Sequence, residues 1–229
     1  EADGTLGAPT DQRNAGLNAH MMIADASDRF VFVPCLGSDY VAQYRFDAAT
    51  GKLTPNTPPT FKIAVSAKTG PRHLAFHPGG AYAYLLNETA SSISSLAFSS
   101  TTGLLAEIET QSTLPVGYAG PKNTAAEVWV HPSGKFVYAS NRGDDSIAVF
   151  SVDIATGKLT AKSHTKTGGA MPRSITIDPT GAFLYSANQG ASTLTSFAID
   201  RSDGSLTPIG SPSAQDQASF VGIVPFSMK

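Results

Sequence analysis

Residues 126–153 read AEVWVHPSGKFVYASNRGDDSIAVFSVD, three short runs of alternating apolar residues separated by two tight-turn signals. Val128 and Val130, Phe136 and Tyr138, then Ile147 and Val149 recur at the period of two that a pleated strand imposes on its faces. Between the first two runs, in His131-Pro132-Ser133-Gly134, Pro132 presets φ for a turn and Gly134 accepts the positive φ that closes one. Between the second and third lies Gly143-Asp144-Asp145-Ser146, whose residues lack a Cβ or cap their own backbone. The stretch predicts an antiparallel three-stranded meander.

The same unit occurs three more times. One copy runs from His20 through Arg29–Val33 to Tyr40–Asp47, another from Pro71 through Ala81–Glu88 to Ser92–Ser99, and the last from Pro172 through Phe183–Gln189 to Thr193–Asp200. Aligned on Asp25, His77, His131 and Asp178, the copies are 52, 54 and 47 residues apart. Each is followed by a further turn and fourth-strand signal, at Thr50–Thr54, Thr102–Leu105, Thr156–Thr160 and Asp203–Thr207. Four strands per unit of about 50 residues is the pattern of β-propeller blades. The expected fold is therefore all-β: a single propeller domain with blades near 20–54, 71–112, 125–163 and 171–210, and partial strands near 3–9 and 219–226. The partial strands at both ends suggest part of a larger ring, the alternative being a small ring of four blades closed by those two strands. An open array would expose sheet edges through which copies could associate. Pro55, Pro58 and Pro59 in 55–70, and Pro115, Gly117, Gly120 and Pro121 in 111–124, mark two long connections and keep these segments out of central strands.

A formal charge of -2 with 15% charged residues points to no nucleic-acid or membrane partner. Cys35, the single cysteine, has no internal disulfide partner and is read as a buried apolar residue. No apolar run is long enough to span a membrane and no leader pattern opens the chain, so the expected location is the cytoplasm; the first residue is not Met, and a processed or truncated N-terminus is expected. The serine-hydrolase elbow, the phosphate-binding glycine loop and the His-Glu-x-x-His zinc motif are all missing from the sequence, and no metal or organic cofactor is expected.

In a propeller the first strand of each blade lines the central channel and the second runs antiparallel to it. The start of strand one and the end of strand two then lie at the same end of the hairpin, so these positions from all blades converge on one mouth. They are His20 and Leu36, Arg72 and Glu88, Glu127 and Arg142, Arg173 and Gln189. Five of these eight are charged, in a chain poor in charge. The alternative is a solvated face held by ion pairs such as Arg72 with Glu88. His77, His131, Asp25 and Asp178 fall in the opposite turns, where they are expected to bond turn backbone. His73 follows Arg72 and is expected on the other face of its strand, either in packing or behind the mouth residues as their support. Asn87, Asn141 and Asn188 repeat at the ends of second strands and are expected to bond from blade to blade. Asn87-Glu88-Thr89 matches a glycosylation acceptor, read as accidental at the mouth.

Asn18–His20, Gly70–Pro78, Leu86–Glu88, Asn123–Glu127 and His131–Arg142 together resemble the seven-bladed lactonase-type propellers, which include bacterial 6-phosphogluconolactonases and fungal 3-carboxy-cis,cis-muconate lactonising enzymes. The resemblance covers nearly the whole chain and implies a site of one His, two Arg and one Glu, falling on His20, Arg72, Glu88 and Arg142. All four are among the residues selected by convergence. The length matches the last four blades and a part. The implied activity is hydrolysis of a small anionic sugar lactone such as 6-phosphogluconolactone, without metal. In that reading Arg72 and Arg142 hold the substrate anion and the developing oxyanion, Glu88 is the base and His20 the acid, with Glu127, Arg173 and Gln189 as further substrate contacts. The alternatives are lactone formation by a muconate-type cycloisomerase, and a non-catalytic binding or scaffold module. The second follows from a more distant likeness of Val137–Asn141 to surface-layer propeller repeats.

Overall fold

The computed structural model describes residues 7–64 and 68–223, and among them there are strands and turns but no helix. Sixteen strands form four antiparallel sheets in chain order. The first blade contains β1 (Ile23–Ala24), β2 (Phe30–Cys35), β3 (Tyr40–Asp47) and β4 (Lys52–Phe61). The second contains β5 (Pro71–Phe76), β6 (Tyr82–Asn87), β7 (Ser92–Ser99) and β8 (Leu104–Ser112). The third contains β9 (Thr124–Val130), β10 (Phe136–Arg142), β11 (Ser146–Val152) and β12 (Leu159–Lys166). The fourth contains β13 (Pro172–Ile177), β14 (Phe183–Asn188), β15 (Thr193–Ile199) and β16 (Leu206–Ala214). Each sheet is a meander of adjacent strands, the arrangement expected from residues 126–153.

Two boundaries differ from expectation. The first strand, expected from His20, is paired only at Ile23–Ala24, with an isolated bridge between Ala19 and Cys35. His20 N donates to Pro34 O at 2.9 Å, but Pro34 has no N–H to complete the reciprocal pair, so the ladder is interrupted there. Conversely β4 continues through Pro55, Pro58 and Pro59 to Phe61. It is the outermost strand, where one edge needs no ladder and proline is tolerated. Of the expected terminal strands, 7–9 and 219–223 are irregular, and the remainder lie outside the described residues.

Apolar residues on facing sheets make the cores between blades. Phe32, Leu74, Leu85 and Leu96 join the first blade to the second, Leu86, Val128, Val137 and Phe150 the second to the third, and Tyr138, Ile147, Ile175 and Phe197 the third to the fourth. Burial of one such side chain stabilises the fold by about 1.5–3 kcal/mol. Cys35 is fully buried on the first blade's outer face.

At the rim opposite the mouth, Gly79 N donates to His77 Nδ1 (2.9 Å) and Ser133 N to His131 Nδ1 (3.1 Å). Each ring therefore carries its proton on Nε2 and donates it to the next blade's turn, at Gly134 O (3.0 Å) and Gly181 O (2.9 Å). Asp25 and Asp178 accept only from backbone and hydroxyl groups of their own turns. The turn role expected for all four residues holds, and the two histidines also tie neighbouring blades together.

The glycine before each fourth strand does similar work. Gly103 and Gly157 have φ of 70° and 73°, and a Cβ at either would stand 2.0 Å from the Phe30 ring or 2.4 Å from the Tyr82 ring of the preceding blade. Only a residue without a side chain lets the aromatic ring that opens each second strand close against the following blade. Phe183 opens β14 in the same way, meets no further blade among the described residues and is 41% exposed.

Candidate functional site

The mouth residues are presented by three irregularities of the same kind. Pairing of β5 with β6 shifts between Pro71 and His73, that of β9 with β10 between Ala125 and Val128, and that of β13 with β14 between Pro172 and Ser174. One extra residue in the inner strand breaks the alternation of side chains and bends the strand at the channel end. Arg72, Glu127 and Arg173 lie in these bulges. His73, expected either in packing or in support of the mouth residues, takes the second place and joins the polar cluster, because the bulge sets aside the strict alternation that would turn it into the blade interior.

Arg72 and Arg142 grip Glu88 from two blades. Arg72 Nε is 2.8 Å from Glu88 Oε2 and Arg142 Nη2 is 2.9 Å from Glu88 Oε1. Arg72 and Arg142 side chains are only 3% and 9% exposed, so this is a buried ion cluster and not a solvated surface pair. Backbone carbonyls hold the guanidinium groups: Arg72 Nη1 donates to Ala126 O and Arg142 Nη2 to Ala125 O at 3.2 Å. The main chain is joined at the same level, where Ala125 N donates to Glu88 O at 3.1 Å. Although Arg72 Nε is within ion-pair distance of Glu88, its N–H is not aimed along that line; this donor and that of Arg142 Nε lack an acceptor among the described residues. The contact is Coulombic, and both N–H groups are buried.

A chain of imidazoles runs beside this cluster. His73 Nδ1 contacts Glu127 Oε1, and His73 Nε2 lies 3.1 Å from His20 Nδ1 and 3.2 Å from Arg72 Nη1. The rings of His20 and His73 meet edge to face with centroids 5.0 Å apart. His20 Nε2 has no partner among the described residues, and a groove of about 560 Å³ between residues 11–16 and the first blade, lined by Met21, Met22, Val33 and Tyr44 among others, reaches His20.

Burial, and then the positive charge of Arg72, push the pKa of His20 down to about 4, so its ring is neutral at pH 7. Burial and the neighbouring Arg142 lower Arg72 to about 10, opposed by Glu88 and Glu127. Arg173 acts on both, and it has no ion-pair or hydrogen-bond partner among the described residues. Arg72, Arg142 and Arg173 against Glu88 and Glu127 leave one net positive charge beside the neutral His20 ring. Among the described residues no group of three His, Cys, Asp or Glu side chains is arranged to hold a metal ion.

The structure thus brings together His20, Arg72, Glu88, Glu127 and Arg142, with Arg173 within electrostatic reach. Gln189 and Leu36 are half-buried at the ends of their strands and make no side-chain contact with the cluster through hydrogen bonds or ion pairs. The repeated asparagines differ from expectation. Asn87 bonds Ser92 and Ser94 (3.1 and 3.0 Å), and Asn188 bonds Thr193 and Thr195 (3.2 and 2.8 Å), each within its own blade. Only Asn141 reaches the connection from the preceding blade, donating to Thr113 O at 2.7 Å. The side chain at this position points back across the next hairpin, where small hydroxyl residues supply the nearest acceptors. Asn87 is fully buried, in keeping with the accidental reading of its sequon. His73 was detectable in principle: Arg72-His73 places two polar residues in succession in the otherwise apolar strand Pro71–Phe76.

Residues 2–223 match the model of the lactonase, 7-bladed β-propeller family. A 6-phosphogluconolactonase of Pectobacterium carotovorum is 33% identical over 176 residues, which are 77% of this chain and 52% of the relative. A solved structure of a Lactobacillus plantarum protein is 32% identical with a TM-score of 0.81, covering 88% of this chain and 57% of that one. A periplasmic gluconolactonase of Pseudomonas aeruginosa is 29% identical with a TM-score of 0.79, covering 87% and 55%. The chain spans about half the length of the curated relatives it matches. Four meanders of the right pattern, a charged cluster at one mouth and a family match over nearly every residue agree: the chain belongs to the lactonase family of seven-bladed β-propellers.

Proposed function

We propose that this chain carries the site of a lactonase that hydrolyses the lactone of an anionic sugar acid, 6-phosphogluconolactone being the first candidate. The observation that carries the reading is the buried Arg72–Glu88–Arg142 cluster with Arg173, which has no ion-pair or hydrogen-bond partner among the described residues, within electrostatic reach of it. Such a cluster suits a ligand with one fixed anionic group and a second, negatively charged oxygen that develops during reaction. Homologues named 6-phosphogluconolactonase and gluconolactonase support the lactone class.

The geometry favours a different division of labour between Glu88 and His20 from the one expected from sequence. Both Glu88 oxygens face arginines, whereas His20 is neutral and its Nε2 has no partner among the described residues. In the proposed reaction His20 Nε2 takes a proton from water as the water oxygen attacks the lactone carbonyl. The arginines stabilise the resulting oxyanion. Collapse breaks the ring C–O bond, and the proton on His20 passes to the leaving alkoxide, giving the open hydroxy acid. Proton transfer of this kind contributes typically about 10²–10⁴-fold. Rates of ring opening with 6-phosphogluconolactone, unphosphorylated gluconolactone and a carboxymuconate, above spontaneous hydrolysis, test the reading. Turnover of the carboxymuconate alone would transfer the site to the cycloisomerase reading, and absence of all three would remove the catalytic one.

A further inference from the structure

We infer that His73 and Glu127 are positioning residues that fix His20 in the tautomer with its proton on Nδ1. The inference rests on the hydrolytic reading of the site for its purpose, but its geometric content stands without it. The assignment follows from which neighbours are able only to accept and which only to donate. A Glu127 carboxylate accepts, so His73 Nδ1, in contact with Oε1, carries a proton and donates it. Arg72 Nη1 can only donate, so His73 Nε2, 3.2 Å away, presents its lone pair. That makes His73 neutral, with both nitrogens assigned. His20 Nδ1 is 3.1 Å from the same lone pair, and two lone pairs at this distance would repel; His20 Nδ1 therefore carries the proton. Its Nε2 is left bare, and that is the nitrogen with no partner among the described residues.

The acceptor carboxylate is itself held. Val128 N approaches Glu127 Oε1 at 3.3 Å, and Glu127 N donates to Ser140 Oγ at 3.0 Å, so the bulge of β9 that brings Glu127 to the mouth also sets its orientation. Three blades contribute, with His20 from the first, His73 and Arg72 from the second and Glu127 from the third. The charged and titratable groups acting on His20 are Arg72, His73, Glu88 and Arg173. Burial and the positive charges of Arg72 and Arg173 disfavour a second proton on the ring and Glu88 opposes them, which keeps the bare nitrogen available as a base.

The test uses the full 229-residue chain labelled with 15N at histidine and observed without substrate at pH 7. Wild-type His20 is expected to show a protonated Nδ1 and a bare Nε2. H73L removes the acceptor and should shift His20 toward the Nε2–H form preferred by free imidazole, whereas H73Q, whose Oε1 can accept in place of the ring nitrogen, should retain Nδ1–H. E127L should behave as H73L, with backbone spectra verifying that each variant is folded. A protonated Nε2 in the wild type, or the same His20 tautomer in wild type and H73L, overturns the inference. In the kinetic arm H73L should lower kcat by about 100-fold with little change in KM, the loss of one well-placed general base. H73Q should recover most of that loss, and equal losses in H73L and H73Q would also overturn the inference. A wild type that shows the expected tautomer and its H73L shift, yet opens no lactone, supports the relay while removing the hydrolytic reading.

Discussion

Glu88→Gln separates a charge cluster from a merely hydrogen-bonded one, because it changes almost no volume. Glu88 offers an oxygen to each arginine, Oε2 to Arg72 at 2.8 Å and Oε1 to Arg142 at 2.9 Å. Glutamine can present an oxygen to only one of them and must turn an NH2 group toward the other. Two guanidinium groups, with side chains 3% and 9% exposed, would then repel without the intervening charge. Breaking a buried ion pair costs about 3–5 kcal/mol. Because Glu88 itself is 21% exposed, the lower end applies, about 3 kcal/mol. For a chain of this size that corresponds to a Tm lower by about 6–12 °C. Adding inorganic phosphate should raise the Tm of the variant more than that of the wild type, since an anion in the cluster binds only the folded state. Thermal unfolding at pH 7 with a phosphate titration measures both effects. A Tm within about 2 °C of wild type and equal phosphate responses would refute the claim that Glu88 neutralises two buried cations.

The low pKa of His20, about 4, predicts that kcat/KM stays level from neutrality downward and falls near pH 4; a limb near 6.5 would show an ordinary histidine or another base. The same shift has a stability sign: an unfolded His20 takes up its proton near 6.5 and the folded one only near 4, so the folded state loses stability as pH falls through that window, and H20Q should lessen that loss in denaturant titrations at pH 4–6. Arg173→Ala should raise KM for a phosphorylated lactone about 10-fold, the equivalent of one lost charge-assisted contact, and leave that for unphosphorylated gluconolactone nearly unchanged. Gly103→Ala should cost about 2–4 kcal/mol in urea unfolding, from a positive φ together with a displaced Phe30 ring, whereas Gly117→Ala, with positive φ but open space around it, should cost about 1–2 kcal/mol.

The repeat of about 50 residues determined the four meanders, since turn residues and period-two alternation are local properties that each copy displays by itself. Convergence of strand ends at the mouth likewise follows from the propeller pattern and the antiparallel sense of neighbouring strands, and it selects His20, Arg72, Glu88, Glu127 and Arg142. The turn roles of His77 and His131 were legible for the same reason, but their second bonds, to Gly134 and Gly181, were not, because they depend on how one blade seats against the next. Which of two places His73 takes, packing or support of the mouth residues, was decided by tertiary structure alone. A bulge arises when two strands pair with unequal residue counts, which alternation within one strand cannot disclose. Packing of the second blade against the third then put its two ring nitrogens between an obligate acceptor and an obligate donor, Glu127 and Arg72, which are 54 and 1 residues away in the chain. Protonation states are properties of such neighbourhoods: the sequence carries the ionisable groups, and only their contacts across blades decide where each proton resides.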